Sequence, residues 1–113
     1  MISVAVIGGG ASGMAFAVAL KQKRPDIEVT VFEKNPKVLK KILVTGNGRC
    51  NILNFDAVAE NYFEACEFVR PAVEKYTPKK TEAIFRDMGL LLMSEQEGRA
   101  YPRSQTAPSV VCV

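Results

Sequence analysis

The chain has 113 residues, of which 48% are apolar and 24% charged, and its net charge is +3. This length suffices for one domain, and the composition is that of an ordinary globular protein rather than a disordered one. No apolar run reaches the roughly 20 residues needed to cross a bilayer, and the first run leads into glycines instead of a signal-peptide cleavage site, so we expect a cytoplasmic protein with no membrane partner.

The composition also limits the chemistry. Histidine is absent, and the three cysteines are widely spaced and form no CxxC pair. These facts exclude Ser-His-Asp triads and Cys-His nucleophile pairs, and they argue against a metal site. Basic residues are dispersed among acids rather than clustered, so no nucleic-acid partner is expected. The chemistry must therefore come largely from a bound cofactor acting on a small-molecule substrate, while the oligomeric state is not indicated.

The first 33 residues predict a βαβ unit. Residues 3–7 are an apolar, β-branched run typical of a parallel strand buried on both faces. Residues 11–23 are rich in small and apolar side chains, which suits a helix packed closely on a sheet, and Arg24-Pro25-Asp26 ends it. Residues 28–33 alternate apolar and polar side chains and predict a second strand.

The glycines at the turn of this unit carry the main functional signal. Gly8, Gly10 and Gly13 fit the pattern GxGxxG, and Glu33 closes the next strand twenty residues after the last glycine, as in dinucleotide-binding proteins. We expect Gly8 to permit the tight turn, Gly10 to admit a pyrophosphate against the backbone, and Gly13 to allow close packing of helix and strand. The phosphates would then meet the N–H groups and positive dipole of the helix N-terminus.

The acid at residue 33 limits which dinucleotides can bind. Glu33 would accept hydrogen bonds from the adenosine ribose and would repel a 2′-phosphate, so FAD or NAD fits this site and NADP does not. Ser12 would either cap the helix or donate to a phosphate, and the sequence does not separate these roles.

The remaining residues predict smaller elements. Residues 45–51 form a polar, glycine-rich functional loop, and residues 57–103 form a helical segment followed by a small β-hairpin. Thr77-Pro78 begins a helix that Gly89 caps. The apolar stripe of the preceding helix consists of Phe63, Cys66, Val69, Val73 and Tyr76. The hairpin pairs residues 90–93 with residues 99–101, and a further helix begins near residue 106.

The fold class is therefore α/β, a Rossmann-like FAD/NAD(P)-binding βαβ unit with following helices and a small β-hairpin. Only two strong parallel strands are visible, whereas such domains usually carry about five or six, so we expect an incomplete domain.

The segment TGNGRCN at residues 45–51 leads to a more specific resemblance. Together with GGGASGM, EKN and the later EGRAYPRS at residues 97–104, it resembles the aminoacetone-oxidase-like family of NAD(P)/FAD-dependent oxidoreductase flavoproteins. The resemblance covers essentially the whole chain and would place it as the N-terminal portion of the FAD domain in longer members. It implies FAD as cofactor, with NAD(P)H as a candidate electron donor.

The resemblance also implies a role for individual residues, although it identifies no catalytic residue. Residues beside the pyrophosphate would be Gly8, Gly9, Gly10, Ala11, Ser12 and Gly13, and those beside the adenosine ribose Glu33 and Lys34. Residues beside the flavin would be Gly46, Asn47, Gly48, Arg49, Cys50 and Asn51. Arg49 and Asn51 are the best candidates for direct contact with the flavin or a phosphate.

Leu39 and Cys50 differ from the other residues of these motifs. Leu39 stands where the family usually has glycine, and if the backbone there needs a positive φ, leucine costs on the order of 1 kcal/mol. Cys50 lies where a redox role beside a flavin is conceivable, but no second cysteine is near it in the sequence, so a packing or loop-shaping role is favoured.

The sequence thus predicts an FAD-dependent oxidoreductase or the N-terminal fragment of one. The alternatives are an NAD-dependent dehydrogenase built on the same βαβ unit and a non-catalytic truncated fragment that binds a nucleotide. The loop at residues 46–51 favours FAD over NAD.

Overall fold

The computed structural model describes residues 2–113. The strands are β1 (Ser3–Ile7), β2 (Glu28–Phe32), β3 (Leu53–Asn54), β4 (Leu92–Ser94) and β5 (Arg99–Pro102). The helices are α1 (Ala11–Lys23), α2 (Cys66–Lys75), α3 (Pro78–Asp87) and α4 (Pro108–Val111), with 3₁₀ segments at Ile42–Gly48, Ala59–Ala65 and Gln96–Gly98. The strands form a parallel pair β1-β2 and an antiparallel sheet of order β3-β5-β4. This confirms the α/β class.

The βαβ unit forms with the predicted helix and strands. β1 and β2 are parallel, and Ser3 lies opposite Glu28. The Gly8 N–H donates to the Phe32 carbonyl at 2.8 Å, and this bond extends the hydrogen bonding between the two strands one residue beyond β1. The small core of this unit consists of the buried residues Val6, Ala17 and Ile27. Small side chains on α1 therefore let the helix lie close to the two strands.

The prediction that β1 is buried on both faces is wrong for the part of the chain that the structure describes. Val6 is buried, but Ile7 is 83% exposed. The physical reason is that α1 covers one face of a two-stranded sheet, and no described element packs against the other face. On the face that α1 covers, an open apolar depression lies between the helix and β2, and it is lined in part by Val18, Val29 and Val31.

The second sheet contains the predicted hairpin. Met93 of β4 lies opposite Tyr101 of β5, and the connecting turn places Glu97 at φ +59° and Gly98 at φ +69°. β3 joins the free edge of β5, with Leu53 opposite Ala100. This third strand was not predicted, because two residues are too few to show an alternating pattern.

A second core lies around this sheet and is separate from that of the βαβ unit. Its buried residues are Cys50, Ala59, Leu90, Ala100, Tyr101, Pro102 and Ala107. The molecule measures 45 × 32 × 26 Å, so it is elongated. One small core lies in the βαβ unit and the other around the second sheet. No helix within residues 2–113 is long and apolar enough to span a bilayer.

The two longer C-terminal helices differ in how well the sequence predicted them. The stripe expected for α2 is wrong at its first residue, because Phe63 lies in the preceding 3₁₀ segment at φ +49° and is 84% exposed. For α3 the signals are correct at both ends. Thr77 Oγ1 accepts the Lys80 N–H at 3.4 Å, and Gly89 at φ +95° follows the last turn.

A short strap, residues 36–41, connects β2 to the first 3₁₀ segment and lies against the glycine turn. The Leu39 N–H donates to the Gly9 carbonyl at 2.7 Å, and the Ile42 N–H donates to the Leu39 carbonyl at 2.9 Å. Leu39 adopts φ +56°, in the left-handed region that favours glycine. The residue that departs from the family pattern is therefore held in a strained conformation.

The contact between α1 and β1 depends on Gly13, because a Cβ there would collide with the Gly8 carbonyl oxygen. We expect Gly13→Ala to lower the free energy of unfolding by about 2 kcal/mol, although alanine favours helices. Urea denaturation measures this change. Gly10→Ala is the control, since a Cβ at Gly10 meets nothing within 4 Å. Equal stability of the two variants would contradict this account of the packing.

Glycine at residue 39 should relieve the strain of the strap. We expect Leu39→Gly to cost at least about 1 kcal/mol less stability than Leu43→Gly, because both lose a side chain but only the former removes a left-handed leucine. Leu43 is a suitable comparison because it lies nearby and is 38% exposed, without a positive φ. Denaturant unfolding of both variants gives the difference, and a larger loss for Leu39→Gly would show that the leucine is not strained.

Candidate dinucleotide-binding site

The site is built around the first turn of α1. Gly10 is the N-cap at φ −77°, no side chain caps the helix, and its first turn contains no acid. The first N–H groups of a helix have no partner within the helix, so here they carry the positive end of the dipole, and no side chain of the first turn neutralises it. Ser12 is exposed and does not act as a cap. The capping role considered for Ser12 is therefore wrong, and its contact with a phosphate stays a prediction.

Space for a ligand lies directly in front of this turn. A Cβ built on Gly10 would meet no atom within 4 Å, so the backbone faces an open region. Gly8 adopts φ +99°, which gives the sharp turn from β1 towards α1. The turn is therefore not blocked by the chain's own side chains at Gly10.

Gly9 has a role in packing that the sequence did not indicate. It is buried, and a Cβ there would press against the Val38 side chain and approach Cβ of Glu33. Its N–H donates to Glu33 Oε2 at 2.7 Å. Gly9 thus joins the turn to the strap on one side and to the end of β2 on the other.

The Glu33 carboxylate is held beside the glycine turn by three donors. Besides the Gly9 N–H, the Asn35 backbone N–H and side-chain amide donate to Oε1 at 2.8 and 2.6 Å. The bonds from the Asn35 backbone, then Gly9, then the Asn35 side chain hold the pKa of Glu33 below its ordinary value. Glu33 is therefore ionised at neutral pH. The neighbouring Lys34 is exposed and lowers that pKa further through its charge.

The carboxylate still has room to accept one hydrogen bond. An ionised carboxylate offers about four lone-pair positions, and within residues 2–113 three of them are used. Asn35 was not singled out from the sequence, although an amide two residues after an acid is a common partner in such turns.

The polar loop at residues 45–51 folds back on itself. Gly46 and Asn47 adopt φ +53° and +56°, which interrupts the 3₁₀ segment, and the Cys50 N–H donates to the Thr45 carbonyl at 3.0 Å. A Cβ on Gly46 would collide with the backbone nitrogen of Asn51. The loop is therefore compact, and Gly46 is required by close approach of the backbone as well as by its dihedral angles.

Side chains of this loop are tied to the second sheet. The Asn51 side-chain amide lies 3.1 Å from the carbonyl oxygens of Leu53 and Ala100, and the amide orientation that turns its nitrogen towards them lets it donate to both. Arg49 forms an ion pair with Glu95 at 2.8 Å. Cys50 is a free thiol, 3% exposed, at φ +60°, as expected for a loop-shaping residue.

The structure thus places the predicted residues in two groups. Gly8 to Gly13 and Glu33 come together at the start of α1, and Gly46 to Asn51 form a second group on the small sheet, with the strap between them. The direct ligand contacts expected for Arg49 and Asn51 stay predictions. Three partners of Arg49 that the sequence did not reveal are Glu95, Tyr101 and Gln105.

Comparison with known proteins gives related sequences for the whole chain. The 3-dehydro-bile acid delta(4,6)-reductase of Clostridium scindens is 39% identical over 112 residues, which are 98% of this chain and 27% of that protein. The ribosomal RNA dihydrouridine synthase of Haemophilus influenzae is 29% identical over 97 residues, 85% of this chain and 24% of that protein. Protoporphyrinogen oxidase of Saccharomyces cerevisiae is 57% identical over 30 residues, 26% of this chain and 6% of that protein.

The family match agrees with the site geometry. The chain spans about a quarter of the length of the first two of these relatives. The family model of the HI0933-like protein Rossmann domain matches residues 2–113, which confirms the resemblance to a family of Rossmann-type oxidoreductases. Because this match extends over nearly all of the sequence, the chain belongs to the HI0933-like family, within the Rossmann domain of that family.

Proposed function

We propose that this chain binds the ADP half of FAD as part of a flavin-dependent oxidoreductase. The observation that carries this proposal is the uncapped start of α1, which faces open space at Gly10 and lies beside the ionised Glu33. A diphosphate and a ribose are the two groups that such a pair of features recognises in dinucleotides.

The diphosphate would lie against the glycine turn. Backbone N–H groups of Gly10, Ala11, Ser12 and Gly13 offer donors at the positive end of the helix dipole. The Ser12 hydroxyl is exposed and adds a further donor. Gly8 and Gly9 shape the turn without filling the space in front of it.

The adenosine ribose would lie at Glu33. One hydroxyl can occupy the position that is still open on the carboxylate, while Gly9 and Asn35 fix its orientation. A 2′-phosphate would meet the negative charge, so the site disfavours NADP. Lys34 follows directly and is exposed, next to the proposed ribose position.

At the flavin end, FAD when bound supplies the transfer of electrons or hydride, and the protein supplies position and electrostatics. The compact loop Gly46–Asn51 is the proposed support for this end. Among the relatives, one is by name a reductase and another an oxidase, which supports redox chemistry on a small-molecule substrate. NAD(P)H is the proposed electron donor.

An NAD-dependent dehydrogenase is the second candidate, because the GxGxxG turn and Glu33 serve the ADP half of NAD equally well. Competition separates the two: excess NAD should not displace FAD if the loop at residues 46–51 contributes to flavin binding. If the chain binds FAD but catalyses no turnover, it matches the other alternative from the sequence, a non-catalytic truncated fragment that binds a nucleotide.

Valine at Gly10 should abolish FAD binding. The added side chain would occupy the open space where the diphosphate approaches the backbone, so we expect affinity to fall at least about 100-fold. The purified chain is titrated with FAD, and visible flavin absorption and thermal stability are recorded for both proteins.

Two controls accompany this experiment. Without FAD, Gly10→Val should unfold at nearly the wild-type temperature, because a Cβ there meets no atom within 4 Å. Ala19→Val, at an exposed position near the far end of the same helix, should bind FAD normally. Wild-type affinity in Gly10→Val would show that the ligand lies elsewhere, and no flavin signal with the wild-type chain would refute the proposed function.

Neutralising Glu33 should weaken FAD binding and change the response to acid. We expect Glu33→Gln to lose about tenfold in affinity at pH 7, because a neutral acceptor binds a hydroxyl less strongly than a carboxylate does. Since folding lowers the pKa of Glu33, its stabilising contribution is present above its ordinary pKa and is lost as the pH falls through the lowered value.

The wild type should therefore lose more stability than Glu33→Gln when the pH falls below about 4.3, the ordinary value for a glutamate. Thermal melts between neutral and acidic pH measure this difference. Glu28→Gln, at the exposed start of the same strand, is the matched control and should follow the wild type. Parallel acid profiles for wild type and Glu33→Gln would exclude the proposed role of the carboxylate in the fold.

A further inference from the structure

Arg49 lies at the centre of a cluster that joins the polar loop to the small sheet. Its Nη1 donates to Glu95 Oε1 at 2.8 Å and to Gln105 Oε1 at 2.9 Å. Its Cζ lies 4.0 Å from the centre of the Tyr101 ring. Three partners from different parts of the chain thus hold one guanidinium group, and we call these four residues the Arg49 clamp.

The clamp is closed and partly shielded from water. Gln105 Nε2 lies 3.4 Å from Glu95 Oε1, so the two partners of Arg49 also contact each other. The side chains of Arg49 and Glu95 are about one third exposed, and Tyr101 is 5% exposed. Charge-assisted hydrogen bonds and stacking on an aromatic ring are stronger in such surroundings than at a fully exposed ion pair.

The partners of Arg49 are themselves held by the backbone. Tyr101 lies in β5, the central strand of its sheet. The Glu95 N–H donates to the Arg99 carbonyl at 2.7 Å, and the Gln105 N–H donates to the Pro102 carbonyl at 2.8 Å. The sheet therefore presents a fixed surface to the loop.

The loop needs such a restraint. Asn47 and Cys50 are not glycines, yet they adopt φ +56° and +60°. Left-handed conformations of this kind persist when surrounding contacts stabilise them. The contacts available here include the clamp, the buried Cys50 side chain, the bond from the Cys50 N–H to the Thr45 carbonyl and the bond from the Ala107 N–H to the Gly48 carbonyl at 2.8 Å.

We propose that Arg49 is a positioning residue, whose clamp by Glu95, Gln105 and Tyr101 holds Gly46–Asn51 in the shape that receives the flavin end of the cofactor. This inference rests on the proposed function. The charge of Arg49 is already matched by Glu95, and Nη1 is shared between two acceptors, which favours action on the loop over action on a phosphate. Direct contact of Arg49 with the ligand is the competing outcome.

The test uses two variants and a matched control. Glu95→Gln removes the charge that Arg49 pairs with, and Arg49→Lys removes the two-acceptor geometry and the planar stacking while the charge is kept. The control is Glu97→Gln, which breaks the exposed pair with Arg99 next to the same hairpin turn. Each protein is studied by amide hydrogen exchange without ligand and by FAD titration followed through the visible flavin spectrum.

Both clamp variants should raise the exchange rates of the amides of residues 49 and 50 about tenfold, because these N–H groups donate to the Gly46 and Thr45 carbonyls within the loop, while exchange in β1 and α1 stays unchanged. Both should weaken FAD binding by a similar factor of about five to ten and alter the flavin spectrum, and Glu97→Gln should do neither. Wild-type loop exchange in Glu95→Gln would overturn the proposal. A uniform rise across the whole chain would likewise overturn it, because the clamp would then be a general structural contact.

The FAD titration separates positioning from direct contact. If Arg49→Lys weakens FAD binding and Glu95→Gln does not, Arg49 touches the ligand and the proposal is wrong. If the wild-type chain binds no FAD, the proposed function fails, and the exchange data still decide whether the clamp orders the loop. The two failures are therefore distinguishable.

Discussion

The hydrogen bond from the Gly9 N–H to the Glu33 carboxylate, 2.7 Å long, is the constraint on which the site depends. It connects the turn before α1 to the residue that follows β2, so the place for a diphosphate and the place for a sugar are set by one contact. The same glycine also accepts a hydrogen bond from Leu39 of the strap. A side chain at Gly9 would disturb all three segments at once, because Val38 and Glu33 leave no space for it.

The βαβ unit and the ends of α3 could be predicted from the sequence because their causes are local. Gly8, Gly13 and Gly89 each meet a requirement of the nearby backbone, a turn, a close approach or a helix end. Glu33 was placed by its distance in sequence from the glycines, which reflects the fixed length of a helix and a strand. For Leu39 the resemblance raised a positive φ only as a condition, and the structure meets that condition with φ +56°.

Other features depend on contacts between distant residues and left no pattern to detect. The two hydrogen-bond partners of Arg49 lie 46 and 56 residues away, and β3 is defined only by its pairing with β5. The burial expected for β1 was wrong because it assumed a sheet covered on both faces, whereas the described residues form a pair of strands with one helix. Phe63 matched a helical spacing but falls where the backbone breaks.

The molecule has two small cores. One lies in the βαβ unit and the other around the β3-β5-β4 sheet, and this division affects how the protein unfolds. Each core is stabilised mainly by its own residues, and the strap is a narrow connection between them. Cooperativity of unfolding requires extensive shared packing, so we expect the two halves to differ in the free energy at which each loses order. Damage to one half would leave the other able to keep its shape.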